Sequence, residues 1–334
     1  MRISINGFGR IGRAFFRLAL KESEIQIVAI NDLADIENLA YLLKNDTVYG
    51  KFDKKIEKQG KFLVVDNQKI PFFQEKDPKN LPWKDLDVNL VIEATGAFSD
   101  YIKAKAHIEA GAKKVIITAP AKGEEDEEGK IVLIGINDKD LTKFDVISNG
   151  SCTTNAVAPV MKILQEKIGI KKAVLNTIHA YTSTQDLVDS PHAKDWRRGR
   201  AASQNIVPST TGAAKCVGKV IKELDGKFDG IALRVPVVCG SIADITFVSD
   251  RDTSAEEINE IFKKASKEEN WKGILEATNE QLVSSDIIKT IAPAIVDLSF
   301  TKVIDKDLVK ILVWYDNEWA YSWTLLEQIK KLLI

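Results

Sequence analysis

The sequence predicts an α/β fold in two parts: a doubly wound parallel sheet, then an α+β unit with a largely antiparallel sheet. Three observations predict it. The first half alternates short apolar runs with amphipathic helical patterns, the mark of βαβ units. Beyond about residue 150 that rhythm gives way to long alternating or β-branched runs with helices set between them. The chain has 334 residues, too many for one ordinary core, and a prior of about 150 residues per domain gives two.

In chain order, strands are expected at Arg2–Asn6, Ile25–Ile30, Val88–Thr95, Val115–Thr118, Ile131–Gly135 and Val146–Ser148. Helices are expected between several of them, at Arg10–Glu22, Ile36–Lys44 and Tyr101–Ala110. Segment 49–86 carries short runs broken by turn residues, such as Phe62–Val65 and Ile70–Phe73, and reads as a small β-hairpin insertion. In the second half the strand candidates are Ala173–Ile178, Gly230–Pro236, Ile242–Ser249, Ile295–Val303 and Leu308–Tyr315. Helical patterns cover Ala213–Leu224 and Ser254–Glu268, and the tail Ala320–Ile334 reads as a last amphipathic helix. The expected division is 1–150, joined by the C-terminal helix 318–334, and 151–317. The acidic run Glu124–Glu128 is expected to be a solvated loop.

Composition narrows the function classes. Hydrophobic residues at 45% and charged residues at 28% fit a globular enzyme rather than a disordered or membrane protein. A formal net charge of -1 supplies no field to recruit nucleic acid or an anionic membrane. No signal peptide is expected in the first residues, because a glycine-rich turn interrupts the apolar run, and no stretch has the roughly 18 apolar residues of a membrane span. Three widely spaced cysteines without a Cys-x-x-Cys argue for a reducing cytoplasm and against a disulfide framework or a zinc site. The three histidines offer no metal-ligand spacing, so no metal is expected.

Gly7-Phe8-Gly9-Arg10-Ile11-Gly12 has the G-x-G-x-x-G spacing. It follows an expected strand and opens an expected helix, and Asp32 stands about 20 residues further on, at the end of the next strand. Glycines there permit a tight turn and close approach of backbone to a pyrophosphate, the helix N-terminus favours its charge, and the acid binds ribose hydroxyls. Asp32 would repel a 2′-phosphate, so NAD is expected rather than NADP.

Ser151-Cys152-Thr153-Thr154-Asn155 follows the strand at Val146–Ser148 and begins a helix. A cysteine at a helix start is stabilised as the thiolate that attacks carbonyl carbon. His179, if brought alongside, supplies a general base and a second stabilising charge. Beside a dinucleotide site, this pair points to aldehyde oxidation. An aldehyde has no hydride to give until a nucleophile makes its carbon tetrahedral. Arg197-Arg198-Gly199-Arg200, Ser209-Thr210-Thr211-Gly212 and Arg234, a charge inside an apolar strand that needs a partner, are material for phosphate.

With these segments in order, the chain resembles the phosphorylating glyceraldehyde-3-phosphate dehydrogenases over essentially its full length. The resemblance is carried by Ile5–Arg13, Ala29–Asp32, Ser151–Asn155, His179–Thr182, Thr211–Lys215, Leu233–Pro236, Ser284–Asp286 and Trp314–Trp319. It implies a glycolytic oxidoreductase that uses NAD and inorganic phosphate to convert glyceraldehyde 3-phosphate to 1,3-bisphosphoglycerate. The reaction would pass through a hemithioacetal and a thioester on Cys152, with His179 as base. It implies cofactor contacts at Arg10, Ile11, Asp32, Lys76, Thr118 and Asn317, the last at the nicotinamide amide. It implies Ser151, Thr153, Thr211 and Gly212 for inorganic phosphate, and Thr182, Arg198 and Arg234 for the substrate's phosphate, with Arg234 between the two. A homotetramer is implied, with the loop after His179 packed across a subunit interface.

The sequence also departs from the family pattern. Ala156 stands where many relatives have a second cysteine, Lys76 where arginine is common, Ala320 where glycine is common, and Ser322-Trp323 where a Ser-Asn pair is common. Residues 287–295 differ from the usual loop. The rival readings are an erythrose-4-phosphate dehydrogenase, a non-catalytic interaction protein on the same fold, and a Cys-His hydrolase. The last leaves the glycine-rich start and Asp32 unexplained.

Overall fold

The computed structural model describes residues 1–123, 125 and 129–333. Of the acidic run Glu124–Glu128, only Glu125 lies among the described residues. The chain divides into two compact units, one of residues 1–133, 137–150 and 322–334, the other of residues 134–136 and 151–321.

The first unit begins as β1 (Arg2–Asn6), α1 (Arg10–Ala19), β2 (Gln26–Asn31) and α2 (Ile36–Lys44). Helix α1 stops before the expected Glu22, and α2 starts on an Asp35 cap whose carboxylate accepts the Glu37 and Asn38 N–H groups. There follow β3 (Ile56–Gln59), β4 (Phe62–Val65) and β5 (Gln68–Phe73), which form an antiparallel meander. The meander is more than the expected insertion. Strand β5 also pairs in parallel with β2 through Ile30–Phe72 and Asn31–Phe73, so it extends the main sheet.

The rest of the unit is β6 (Leu90–Glu93), α3 (Tyr101–Ala104), α4 (Ala106–Glu109), β7 (Lys114–Ile117), β8 (Lys130–Ile131) and β9 (Val146–Ser148). The single helix expected over 101–110 is two, because Lys105 donates its N–H only three residues back, to Ile102, and tightens the turn. The strand expected over 131–135 ends early. There the Asn137 side chain accepts from Leu133 N–H and donates to Ile131 C=O, in place of a neighbouring strand. Among the described residues nine strands form this sheet, in the order β3-β4-β5-β2-β1-β6-β7-β9-β8, parallel from β5 onward. Because β2 and β6 flank β1, the strand order reverses at β1. That switch point is where doubly wound sheets bind ligands, outside the carboxyl ends of the strands.

The second unit opens with α5 (Cys152–Lys167) and β10 (Ile170–Ala180), then β11 (Val207–Thr210), α6 (Ala213–Val220), β12 (Phe228–Val235) and β13 (Ser241–Ser249). It continues with α7 (Ala255–Ala265), β14 (Leu275–Thr278), β15 (Ala294–Ile304) and β16 (Leu308–Tyr315). The last helix is α8 (Trp319–Lys331), of which residues from 322 onward belong to the first unit. Strands β11 and β14 were not expected; both are four residues long, and β11 contains Pro208. The sheet order is β11-β12-β10-β13-β16-β15-β14, antiparallel except for β10–β12 and β14–β15. Helix α5 packs on β10, β13, β15 and β16 and against α6 and α7, which covers one face. Val174, Ile231 and Phe300 remain more than half exposed.

Candidate active site

The glycine-rich turn in the first unit answers to sterics at two of its three glycines. Gly7 has φ +94°, and a Cβ there would lie 2.6 Å from the Ala94–Thr95 backbone. At Gly12 a Cβ would lie 2.2 Å from the Gly7 carbonyl oxygen. Gly9 faces open space, nothing lying within 4 Å of its would-be Cβ, and no side chain caps α1 there. A phosphate could approach the helix start at that point. Asp32 accepts Phe8 N–H at 2.6 Å and Ala34 N–H at 2.9 Å, so the acid braces the turn it faces. A cavity of about 430 Å³ opens here, lined by Gly7, Gly9, Asp32, Leu33, Lys76 and Phe98 among others. This cradle fits a dinucleotide.

Three further cofactor candidates are placed differently. Arg10 turns its guanidinium to Asp46 at 2.6 Å and lies over the Tyr49 ring, while Ile11 follows it in the first turn of α1. Thr118 closes β7 by donating its N–H to the Glu93 carbonyl. Neither Arg10 nor Thr118 lines the cavity.

Beneath the cavity lies a buried polar network that the sequence reading missed. Asn31 Nδ2 donates to Asn6 Oδ1 at 2.7 Å, and Asn6 Nδ2 donates to Glu93 at 2.5 Å. Trp83 Nε1–H donates to His107 Nδ1 at 3.0 Å, so the proton of the neutral ring is on Nε2 and is donated to Glu93 at 3.0 Å. The signal was there to read: β1 and β2 both end in asparagine, at the edge where a ligand would bind.

In the second unit Ser151 caps α5. Its Oγ accepts Thr154 N–H at 3.0 Å, and the Thr154 hydroxyl returns to Ser151 N–H, a reciprocal capping box. Cys152 is therefore the first residue of the helix. Strand β10 carries His179 to it, with Nε2 at 3.4 Å from Sγ. Tyr315, in β16, holds the surroundings through its hydroxyl, 2.9 Å from Thr153 Oγ1 and 2.7 Å from Thr177 Oγ1. Its ring meets the imidazole edge-on, with centroids 5.9 Å apart. Burial drives the Tyr315 phenol pKa well up, and the Cys152 charge adds to that, so it serves as a neutral hydroxyl.

Burial and the Arg234 guanidinium shape the charges of the pair. Burial and the neighbouring Arg234 push the His179 pKa down to about 3, so the imidazole is neutral at physiological pH. Burial and Arg234 together oppose a charge on the ring. Burial pushes the Cys152 thiol up, and the Arg234 guanidinium is the strongest influence opposing this. The cation of the site is Arg234, beside His179 in the parallel β10–β12 register. Nδ1 of His179 lies 2.7 Å from the Ala180 carbonyl oxygen and 2.6 Å from Arg234 Nη1.

The remaining anion-site candidates lie in neighbouring segments of this unit. Arg198 holds Ser209 Oγ through Nε at 3.0 Å and Nη2 at 2.6 Å. Thr211 Oγ1 accepts Ala213 N–H, Gly212 is the exposed cap of α6, and Thr182 shares a hydroxyl bond with Thr184. Asn317 is buried, with Oδ1 accepting Gly240 N–H at 3.1 Å and the Ser241 hydroxyl at 2.9 Å. Its Nδ2 end is thereby turned away from those donors. Ser241, which sequence reasoning missed, also accepts Ala180 N–H at 3.1 Å and so links Asn317 to the strand end carrying His179.

Residues 1–101 match the family model described as glyceraldehyde 3-phosphate dehydrogenase, NAD binding domain, and residues 151–317 match the C-terminal domain of the same family. The chain belongs to the glyceraldehyde-3-phosphate dehydrogenase family. It is 50% identical to glyceraldehyde-3-phosphate dehydrogenase of Thermotoga maritima, over 99% of both chains. It is 47% identical to that of Borreliella burgdorferi over 100% of both, and 45% identical to glyceraldehyde-3-phosphate dehydrogenase 2 of Bacillus subtilis over 99% of this chain and 96% of the relative. The glycine-rich cradle is thus part of the family's NAD-binding domain. No group of metal-ligating side chains occurs among the described residues, and no helix there is long and apolar enough to cross a membrane.

Proposed function

We propose that the chain is an NAD-dependent, phosphorylating glyceraldehyde-3-phosphate dehydrogenase of glycolysis, with Cys152 as nucleophile and His179 as base. The observation that carries the residue assignment is the Cys152 sulfur at the start of α5, 3.4 Å from Nε2 of a neutral imidazole. With its proton on Nδ1 and donated to the Ala180 carbonyl, His179 presents the Nε2 lone pair to the thiol. Sγ bonds to the aldehyde carbon as its proton passes to Nε2, and the new alkoxide takes that proton back from Nε2 to give the hemithioacetal, which leaves Nε2 free again. In the oxidation step Nε2 takes the hydroxyl proton and the carbon becomes a thioester. NAD, when bound, accepts the hydride. Inorganic phosphate then attacks the thioester carbon, the C–S bond breaks, and acyl phosphate leaves with the Cys152 sulfur restored. Arg234 lowers the cost of negative charge on sulfur throughout.

Gly7, Gly9, Gly12, Asp32 and Lys76 are proposed to hold the cofactor, with Arg10, Ile11 and Thr118 beside them and Asn317 Nδ2 at the nicotinamide amide. Ser151, Thr153, Thr211 and Gly212 are proposed for inorganic phosphate, Thr182 and Arg198 for the substrate's phosphate, and Arg234 between them. A homotetramer in the cytoplasm is proposed with them. Exposed Leu187, Val188 and Trp196 in the loop after His179, and three free cysteines, support that reading.

Absorbance at the nicotinamide band tests the activity. With glyceraldehyde 3-phosphate and NAD, sustained NADH formation should require inorganic phosphate and release acyl phosphate. Turnover that ignores phosphate and yields the free acid would reject the phosphorylating reaction.

A further inference from the structure

Glu93 ends β6 beneath the cofactor cradle with its side chain buried, and four N–H or O–H groups point at its carboxylate. Oε1 accepts Thr95 N–H at 2.8 Å and the Thr95 hydroxyl. Oε2 accepts Asn6 Nδ2–H at 2.5 Å and His107 Nε2–H at 3.0 Å. A carboxylate offers about four lone-pair sites and no proton, so it satisfies all of these donors and has nothing to spare. Neither end of this arrangement can reverse. Trp83 Nε1–H only donates, which leaves the His107 proton on Nε2. Asn31 pairs its amide with the Glu75 backbone, Oδ1 accepting the N–H at 2.8 Å and Nδ2 donating to the C=O at 2.9 Å. Its Nδ2 also donates to Asn6 Oδ1, which fixes the end of Asn6 that faces Glu93. The side chains that close β1 and β2 thus run as one chain of donors toward Glu93, and only an acceptor there completes it.

Two walls of the cavity hang on this chain. On one side Asn31 holds Glu75, next to Lys76. On the other, Glu93 holds Thr95, whose hydroxyl accepts Ala97 N–H at 3.0 Å. Phe98 follows, its ring edge-on to His107 with centroids 6.3 Å apart. Thr95, Gly96 and Ala97 are exposed, so this turn takes its shape from hydrogen bonds rather than from burial. Asp32 lines the same cavity and is the acid expected at the ribose hydroxyls, which puts the adenosine end of NAD between the two walls. We propose that Glu93 is a positioning residue for that end of the cofactor. By accepting four hydrogen bonds it sets the spacing between the Glu75–Lys76 wall and the Thr95–Phe98 turn, although it does not line the cavity itself. Glu93→Gln keeps the shape but not the acceptors. Its carbonyl serves the buried Asn6 and His107 donors, its NH2 then faces Thr95 N–H, and the exposed turn is the part that gives way. The inference rests on the placement of NAD in this cradle.

Calorimetry on the full chain with NAD and with ADP-ribose, which lacks the nicotinamide, tests this. Binding to Glu93→Gln must re-form the turn against an unpaired N–H, a penalty of about fivefold to hundredfold in an equilibrium constant. Both ligands should weaken by the same factor within that range. Steady-state rates should show a raised KM for NAD with kcat unchanged, the pattern of lost binding. A variant whose denaturant midpoint falls while both affinities stay at wild-type values has lost only stability, and overturns the proposal. So does a loss confined to NAD, or a fall in kcat with KM unchanged. Asp32→Ala separates the inference from its premise. If that change leaves ADP-ribose affinity as it was, NAD does not lie in this cradle and both fail. If it weakens ADP-ribose and Glu93→Gln does not, only the role of Glu93 is lost. Should Glu93→Gln not fold, Thr95→Val takes its place, removing the exposed hydroxyl that ties Glu93 to Ala97 N–H. A smaller but still parallel loss for the two ligands is then expected, and wild-type affinities there overturn the proposal.

Discussion

At the scale of single residues, accessibility and charge separate the three cysteines. Cys152 is partly exposed, whereas Cys216 and Cys239 are buried, and Cys239 donates its thiol to Asp316 at 3.3 Å. One equivalent of iodoacetamide near neutral pH should label Cys152 before either of the others; peptide mapping that finds Cys216 first would move the nucleophile elsewhere. Replacing His179 with Asn should slow hydride transfer by about 10²- to 10⁴-fold, with little change in NAD affinity. The same variant should change acid stability in a definite direction. The unfolded imidazole takes up a proton near its ordinary value of 6.5, but the folded one does so only near about 3. Between those limits the unfolded state binds more protons, so wild-type stability falls as pH falls, by up to about 1.4 kcal/mol per pH unit from this group. Urea titrations from pH 7 to pH 4 should show a shallower fall for His179→Asn, and parallel curves would mean that the native ring protonates normally. If Asp32 governs cofactor choice as proposed, kcat/KM should favour NAD over NADP by about ten- to several-hundredfold. Asp32→Gly with Leu33→Thr should narrow that ratio, at some cost in stability, because Phe8 N–H and Ala34 N–H lose their acceptor. Wild-type turnover that is equal with NADP would remove Asp32 from this role.

At the scale of elements, the ends of helices and strands place the chemistry. Helix α5 starts at Cys152 because Ser151 and Thr154 satisfy each other's backbone N–H groups. Ser151→Ala should therefore cost about 1 kcal/mol, and it should also slow Cys152 alkylation as the first turn frays. Retained stability together with retained thiol reactivity would show that the cap is not what orders that turn. Where three strands of the first sheet end, Asn6, Asn31 and Glu93 are tied to His107 and Trp83. Removing the imidazole by His107→Ala leaves the Glu93 carboxylate and the Trp83 N–H short of partners in the interior. The expected loss is about 2–5 kcal/mol, read from the denaturant midpoint. A loss below about 1 kcal/mol would mean that water enters and replaces the ring.

For the whole molecule, periodicity revealed the order of elements but not their neighbours. The amphipathic pattern over Ile36–Lys44 gave a helix whose limits match the structure, because an Asp cap and a clear apolar face mark it. Segment 49–86 read as an insertion because its turns are local signals, while the β2–β5 pairing that draws it into the main sheet is a contact between distant residues. Strands β11 and β14 escaped notice for the same reason: at four residues each, they are held by partners rather than by their own pattern. The fold class and both motif regions were legible, since glycine spacing and helix-start chemistry are written within short windows.

The sequence by itself determined which groups are proposed for the chemistry: a cysteine at a helix start, a histidine in a β-branched run, and a glycine turn followed by an acid. Those assignments follow from residue type and local spacing, which backbone geometry constrains. Only the tertiary structure decided the charge on His179. That charge depends on burial and on Arg234, which stands 55 residues away in sequence but beside His179 in the β10–β12 register. Desolvation and charge–charge energies depend on distance in space, and no window of the sequence contains that distance.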